Sequence, residues 1–311
     1  MRAAHPDSGC PPLSPAAYIT ARVCVQRRYV EWVESLLWEH GALAVSLTDE
    51  ADRPVLEPGV GQTPLWPEVE VCGLFAKEAE LNGLSALFAL VPGVESPDHT
   101  SFDRLADCDW SLAWQRGLAA MPFGDRLWIV PQHLPPPPGA ECIVQLDPGL
   151  AFGSGTHPST RLCLEWLAGQ DLSGLSVLDF GCGSGILGIA AARMGACQVL
   201  CVDNDPQALI ATRENAQANE VEDCIEVRSS LGSGNLKVDV VLANILSGTL
   251  IALAPQLLAS MKDNAVLVMA GILEDQGAAV MAAYAHDIPE FRTSRENEWL
   301  CLIGAKAVRA K

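Results

Sequence analysis

The run Val177-Leu178-Asp179-Phe180-Gly181-Cys182-Gly183-Ser184-Gly185 constrains this chain most tightly. A short apolar segment that stops in closely spaced glycines and passes into an apolar, alanine-rich segment reads as strand, tight turn and helix. From about residue 171 such units repeat. Strands are expected at 176–180, 198–203, 224–227, 238–243 and 265–270, with helices starting near Ser184, Pro206, Ser247 and Glu274. Two more strands, 291–294 and 299–304, follow directly on one another as an antiparallel hairpin. The pattern is that of an α/β fold with a doubly wound, seven-stranded, mainly parallel sheet, whose ligands bind at the carboxyl ends of the strands.

The N-terminal part has a different texture. Residues 18–25 alternate like a strand, and Tyr29, Val33, Leu36 and Leu37 recur at helical spacing until Gly41. Strands at 42–47 and 68–75, a helix over 77–90 ended by Pro92 and Gly93, and an extended piece at 101–105 complete βαββαβ. That is the order of a smaller α+β, ferredoxin-like domain. We expect a loose Pro- and Ala-rich extension at 1–17, the α+β domain at 18–107, a linker at 108–140 and the sheet domain at 141–311. Within the linker, Trp110 and Trp114 share a helix face as core residues and a strand covers 126–130. Pro135 to Pro138 form a stiff spacer or crossing.

Charge narrows the partners. The 311 residues carry 20 basic and 38 acidic side chains, net -18, and the excess is even: 8 and 17 up to Ala120, 12 and 21 beyond it. Such a field repels a phosphate backbone, so no direct nucleic-acid binding is expected, and a cationic partner fits better. No stretch approaches the roughly 18 uninterrupted apolar residues of a membrane span, and the first fifteen residues lack the apolar run of a signal peptide. A cytoplasmic protein without membrane contact is the expectation. The 11 cysteines are odd in number and lie mostly in apolar runs, which reads as buried thiols. Cys197 and Cys201 have no nearby His or second Cys pair, and no HExxH occurs, so no metal is expected.

The strand ends carry the chemistry. Gly183, Gly185 and Gly188 satisfy GxGxxG, the dinucleotide fingerprint. Asp179 stands beside that turn, where a carboxylate suits an ammonium or sulfonium better than a pyrophosphate. S-adenosylmethionine has both cations and no phosphate. Asp203, at the end of the second strand, can accept hydrogen bonds from both hydroxyls of a ribose, whereas Asp205 before Pro206 reads as a helix cap. Asn244 leaves the fourth strand with an amide carbonyl that can take an N–H of a nucleophilic amine and leave its lone pair free. The loop 147–160, dense in glycine and hydroxyls, suggests a lid; His157 in it is either a base or a loop-ordering residue.

The segments LDPGLAFGSGTHPST, VLDFGCGSGILGIAA, VDNDPQA and DVVLANIL, in this order and spacing, resemble the ribosomal protein L11 methyltransferase family, as do GALAVSLTDE, DWSLAWQRGL and the Glu298-Trp299-Leu300-Cys301 ending. The resemblance runs from about residue 18 to the C-terminus. It implies a Rossmann-like, S-adenosylmethionine-dependent enzyme that methylates the N-terminal α-amine and lysine ε-amines of large-subunit ribosomal protein L11. It also implies an N-terminal domain that recognises the protein substrate and swings on a linker. Matching motif positions assign cofactor contacts to Thr160, Gly181, Asp203 and Asn244; Asp179, Gly183, Phe152 and Thr156 are further candidates, and Asn244 is the expected catalytic residue. Asn204 stands where the family often has an aliphatic, and residues 1–17 and the proline run look private to this chain. The even negative charge favours L11 free of its RNA; the oligomeric state is left open, with a monomer expected. The alternatives are an N-methyltransferase for another protein, a small-molecule amine or an amide, a cofactor-binding protein without catalysis, and a dehydrogenase.

Overall fold

The computed structural model describes residues 18–49, 66–94, 100–105, 119–146, 153–232 and 236–308. The chain forms two compact units divided between Trp114 and Gln115. The tryptophan helix expected around Trp110 and Trp114 lies outside the described residues.

In the first unit, β1 (Tyr18–Gln26), α1 (Val30–Glu39), β2 (Ala44–Asp49), β3 (Glu68–Ala76), α2 (Leu84–Phe88) and β4 (Thr100–Leu105) follow in the expected order. The sheet runs β2-β3-β1-β4, antiparallel at every pair, as in a ferredoxin-like fold. Alternation places Ala21, Val23 and Val25 of β1 on one face with Val69, Val71 and Phe75 of β3, and Val33 and Leu37 of α1 close over them. Gly73 permits this approach, because a Cβ there would stand 2.7 Å from Leu37 Cδ2. The helix expected over 77–90 is only five residues long. Ala79 N–H turns back to Ala76 O and Leu84 N–H to Leu81 O, and Gly83 at φ +93° starts the helix from a left-handed residue. Two turns have replaced its first half.

The second unit begins earlier than the expected start at 141. β5 (Met121–Phe123) pairs antiparallel with β6 (Leu127–Pro131), which pairs parallel with β7 (Cys142–Leu146). The stretch 108–140, expected as a linker, therefore contains two strands built into this unit, and Pro135 to Pro138 lie in the crossing between β6 and β7. The Asn219 side chain ties this small sheet down: its Oδ1 accepts from Gln145 N–H at 2.7 Å and its Nδ2 donates to Gln145 O at 2.6 Å.

The main elements follow: α3 (Pro158–Ala168), β8 (Ser176–Phe180), α4 (Ile186–Arg193), β9 (Gln198–Val202), α5 (Pro206–Ala218), β10 (Ile225–Arg228), β11 (Val238–Asn244), α6 (Ser247–Ser260), β12 (Met261–Leu273), α7 (Gly277–Tyr284), β13 (Phe291–Glu296) and β14 (Trp299–Ala305). Seven strands form one sheet in the order β10-β9-β8-β11-β12-β14-β13. β10, β9, β8, β11 and β12 are parallel, and β14 joins antiparallel to both β12 and β13. Leu178, Val241, Leu267, Leu302 and Tyr284 are fully buried in its core. β12 is longer than expected at both ends and shifts register between Met269 and Ile272; a short 3-10 turn, Glu274–Gln276, leads into α7. The nine described cysteines are all free thiols, and Cys163, Cys201 and Cys301 are fully buried. No helix among the described residues is long and apolar enough to cross a membrane.

At the amino ends of the strands, Asp239 Oδ2 accepts from Ser176 N–H at 2.9 Å, Ser176 Oγ at 2.6 Å and Lys262 Nζ at 2.7 Å. Partial burial opposes ionisation, but these donors outweigh it and draw the Asp239 carboxyl down to about 2. Its contribution to stability is complete above the unfolded value, about pH 4, and is lost as pH falls through about 2. Thermal unfolding between pH 2 and 6 should show Asp239→Asn below wild type near neutrality, with the two curves converging at the acid end; a constant gap would contradict the assignment.

Candidate cofactor and active site

Strand register assembles the site. Phe180, the last residue of β8, lies opposite Val202 in β9 and Ala243 in β11. The next residue of each strand's path, Gly181, Asp203 and Asn244, therefore lies at one level, with Asn244 the last residue of β11. All three line one cavity of about 480 Å³, together with Gly183, Asn204 and Ile245. That is within the roughly 300–1,000 Å³ of ordinary small-molecule sites.

The glycine turn is held from both sides. Gly181 and Gly183 have φ +76° and +55°, and a Cβ on Gly181 would collide with Ile245 Cγ2. Asp203 Oδ2 accepts from Gly183 N–H at 2.9 Å and its Oδ1 from Asp205 N–H at 3.0 Å. A carboxylate has about four acceptor positions, so two remain for a ligand diol. Asp205 caps α5 through Gln207 N–H at 2.9 Å, as its place before Pro206 suggested.

Asn244 is oriented by Thr160. Its Nδ2 donates to Thr160 Oγ1 at 3.0 Å, and Thr160 is buried on the first turn of α3. Gly271, at φ +77°, lies beside them: a Cβ there would be 2.6 Å from Ile245 O and 3.2 Å from Asn244 Oδ1. The start of α3 is itself fixed. His157 Nδ1 accepts from Ser159 N–H at 3.3 Å, the imidazole packs edge-on against Trp299 at 4.7 Å, and Arg161 Nε pairs with Glu296 at 2.9 Å. Burial lowers the His157 pKa against the opposing pull of Glu298. The structure thus gives His157 the loop-ordering role.

Asp179 is placed differently from expectation. It is 1% exposed and does not line the cavity. Its Oδ2 accepts from Gly188 N–H at 2.8 Å, while Oδ1 has no partner. Gly185 opens α4 without a side-chain cap, so Asp179 supplies, from beneath the turn, an acceptor for one of the helix's orphan amides. Burial raises its carboxyl to about 7; the Gly188 hydrogen bond opposes this and the charge of Asp203 adds to it. Strand alternation sends this side chain toward α4, so the direct ligand contact expected of it is replaced by support of the turn.

Thr156 is exposed and pairs with Ser154 Oγ at 2.7 Å, away from the cavity lining; Phe152 lies outside the described residues. Besides Thr249, Leu253 and Gln256 of α6, sequence reasoning missed Ser229, Ser230 and Leu231, which follow β10 and line the cavity. The rule that ligands sit beyond strand carboxyl ends would have found them. Among the described lining residues the one ionisable side chain is Asp203, and there is neither Lys nor Arg. Such a wall fits a phosphate-free nucleoside with a cationic centre. No group of three or more His, Cys, Asp or Glu among the described residues could hold a metal.

Comparison with known proteins gives the family. The family model described as Ribosomal protein L11 methyltransferase (PrmA) matches residues 17–307. The Ribosomal protein L11 methyltransferase of Cellvibrio japonicus is 44% identical over 291 residues, 93% of this chain and 99% of the relative. That of Pseudomonas paraeruginosa is 42% identical over 93% of this chain and 98% of its own length. Among solved structures, ribosomal protein L11 methylase from Lactobacillus delbrueckii subsp. bulgaricus is 29% identical with a TM-score of 0.56, covering 61% of this chain and 99% of its own.

Gly271→Ala tests the support of Asn244. It adds a clash with the Ile245 carbonyl to a left-handed backbone and should cost about 1–3 kcal/mol by denaturant unfolding. Gly174→Ala, equally left-handed at φ +75° but with nothing within 4 Å, should cost less. Equal losses would show that the Asn244 neighbourhood accommodates the methyl group.

Proposed function

The chain belongs to the ribosomal protein L11 methyltransferase family, and from that premise we propose that it transfers methyl groups from S-adenosylmethionine to the N-terminal α-amine and lysine ε-amines of L11. The chain is thus a methyltransferase with the α/β fold of that class. The observation that carries the cofactor reading is the cavity wall: one carboxylate at the end of β9, no Lys or Arg among its described residues, and glycines where a nucleoside can lie against backbone.

When bound, S-adenosylmethionine supplies a methyl carbon activated by a sulfonium leaving group. The residues of this chain do the rest. Asp203 accepts from the ribose hydroxyls, and Gly181 and Gly183 allow close approach to the turn. Asn244 Nδ2 donates a hydrogen bond to Thr160 Oγ1, which leaves Oδ1 as the acceptor for an N–H of the incoming amine. An amine so held keeps its lone pair for in-line attack. A lysine ammonium, with an ordinary pKa near 10.4, must first lose a proton. The apolar part of the wall, Phe180, Leu231 and Ile245, disfavours the charged form, and the proton leaves to solvent. The net charge of -18 suits capture of basic L11 before it joins its RNA, by a monomeric enzyme in the cytoplasm.

Calorimetric titration should show binding of S-adenosylmethionine and none of NAD, and the intact mass of L11 should rise in steps of one methyl group on incubation with enzyme and cofactor. Binding of NAD alone, or an unshifted L11 mass, would overturn the reading. Asn244→Ala should lower kcat by about 10²-fold, the scale of one lost oriented polar group, with only a few-fold loss of cofactor affinity. Thr160→Val should reproduce part of that kcat loss, and Thr160→Ser should restore it. Loss of cofactor affinity with kcat intact would make Asn244 a cofactor contact only.

A further inference from the structure

The face that α5 turns to the core is polar where an apolar stripe is the rule. Thr212, Asn215 and Asn219, the residue that ends the helix, recur at i, i+3 and i+7 and are 0%, 1% and 6% exposed. A buried hydroxyl or carboxamide costs stability unless it is hydrogen-bonded, and asparagine is a poor helix former, so packing alone does not account for the stripe. Its partners do. Thr212 Oγ1 donates to Gly183 O at 3.0 Å, and Asn215 Nδ2 donates to Ser184 O at 2.9 Å. The helix thus grips two successive carbonyls of the glycine turn from the core side.

Gly183 is therefore held at both its N–H and its C=O, by Asp203 Oδ2 at 2.9 Å on the cavity side and by Thr212 behind. Gly185, at φ +80°, brings the turn against the helix: a Cβ there would stand 2.8 Å from Thr212 Cγ2, and Cys182 Sγ lies 3.4 Å from the Thr212 hydroxyl. Ser184 passes the restraint outward, since it is fully buried and its Oγ donates to Gly153 O at 2.7 Å, within the loop 147–160. Asn215 Oδ1 accepts from Gln132 Nε2 at 3.3 Å, which ties the residue after β6 to the same place. Gly183 and Asp203 line the cavity, whereas Thr212 and Asn215 do not, so the stripe reaches the cavity wall through the turn. We propose that Thr212 and Asn215 are positioning residues for cofactor binding, which fix the Gly183 and Ser184 carbonyls and so hold the cradle of Gly183 and Asp203 in its binding shape. A cradle set in advance spares the ligand the cost of ordering it. The inference rests on the S-adenosylmethionine reading above and adds to it the residues that brace its site from behind.

The test is calorimetric titration of the full-length enzyme with S-adenosylmethionine and with its demethylated product, S-adenosylhomocysteine, together with amide hydrogen exchange of residues 181–188 in the enzyme without added ligand. Thr212→Val keeps the side-chain shape and removes the hydroxyl. It should raise Kd for both ligands about tenfold, the scale of one buried carbonyl left without its donor, and quicken exchange across 181–188. Thr212→Ser, which keeps the hydroxyl, should restore both readouts. Ser260→Ala is the stability control: it deletes a buried hydroxyl bonded to Leu257 O at 2.6 Å, at the C-terminal end of α6, and should lower the melting temperature without moving either readout. Should Thr212→Val fail to fold, Asn215→Ala carries the test, with the same expected loss of affinity. Wild-type affinity and wild-type exchange in the Thr212 and Asn215 variants, with only the melting temperature lowered, would overturn the positioning role alone. Failure of the unaltered enzyme to bind S-adenosylmethionine would overturn both this role and the cofactor reading.

Discussion

The site depends on the register of β8 between its two parallel neighbours. Phe180 pairs with Val202 on one side and Ala243 on the other, so β8 and β9 end together beside the last residue of β11, Asn244, which still pairs with Ala270 of β12. Each then meets the same problem: backbone groups that the ladder satisfied must find other partners. Gly181 and Cys182 N–H turn to Val202 O and Gly183 N–H goes to Asp203, while the Asn244 side chain bonds Thr160. The residues that could hold a ligand are thus also the ones that terminate the sheet. Changing one of them disturbs both.

Electrostatics follows from this crowding. Two carboxylates lie within one turn of the same glycine loop, and the fold separates them by burial. Asp203, on the cavity wall, retains accessible acceptor positions. Asp179 lies beneath the turn, spends one oxygen on Gly188 N–H, and is raised to about 7. The two acids thus divide into a cavity-lining group and a helix support.

Most of the fold was legible because local signals agreed with tertiary structure. The strand at Ser176–Phe180 and the helices at Pro206 and Ser247 start where the apolar runs, caps and glycines indicate. The place of Asp203, Asn244 and Gly181 on one cavity wall was legible because the carboxyl ends of strands in such sheets open on a common crevice. Asp179 was misread because β8 is buried on both faces: in a fully buried parallel strand, polarity does not alternate, so the direction of one side chain is hidden. The strand expected at 126–130 is β6, but its sheet was missed because β6 and β7 pair in parallel across a proline-rich crossing, a non-local arrangement. The shortened α2 reflects Gly83, whose left-handed backbone outweighs the helical spacing before it. Ser229 and Ser230 carry no motif; only the position of β10 in the sheet identifies them.

The bond between Asn219 and Gln145 has a consequence for assembly. β7 is the outermost strand of its small sheet, and an outermost strand offers free amide and carbonyl groups to any passing extended chain. The Asn219 carboxamide has the same donor and acceptor as a peptide unit and occupies both groups of Gln145 at 2.7 and 2.6 Å. One side chain thereby acts as a one-residue neighbour strand and seals the margin against recruitment of another polypeptide.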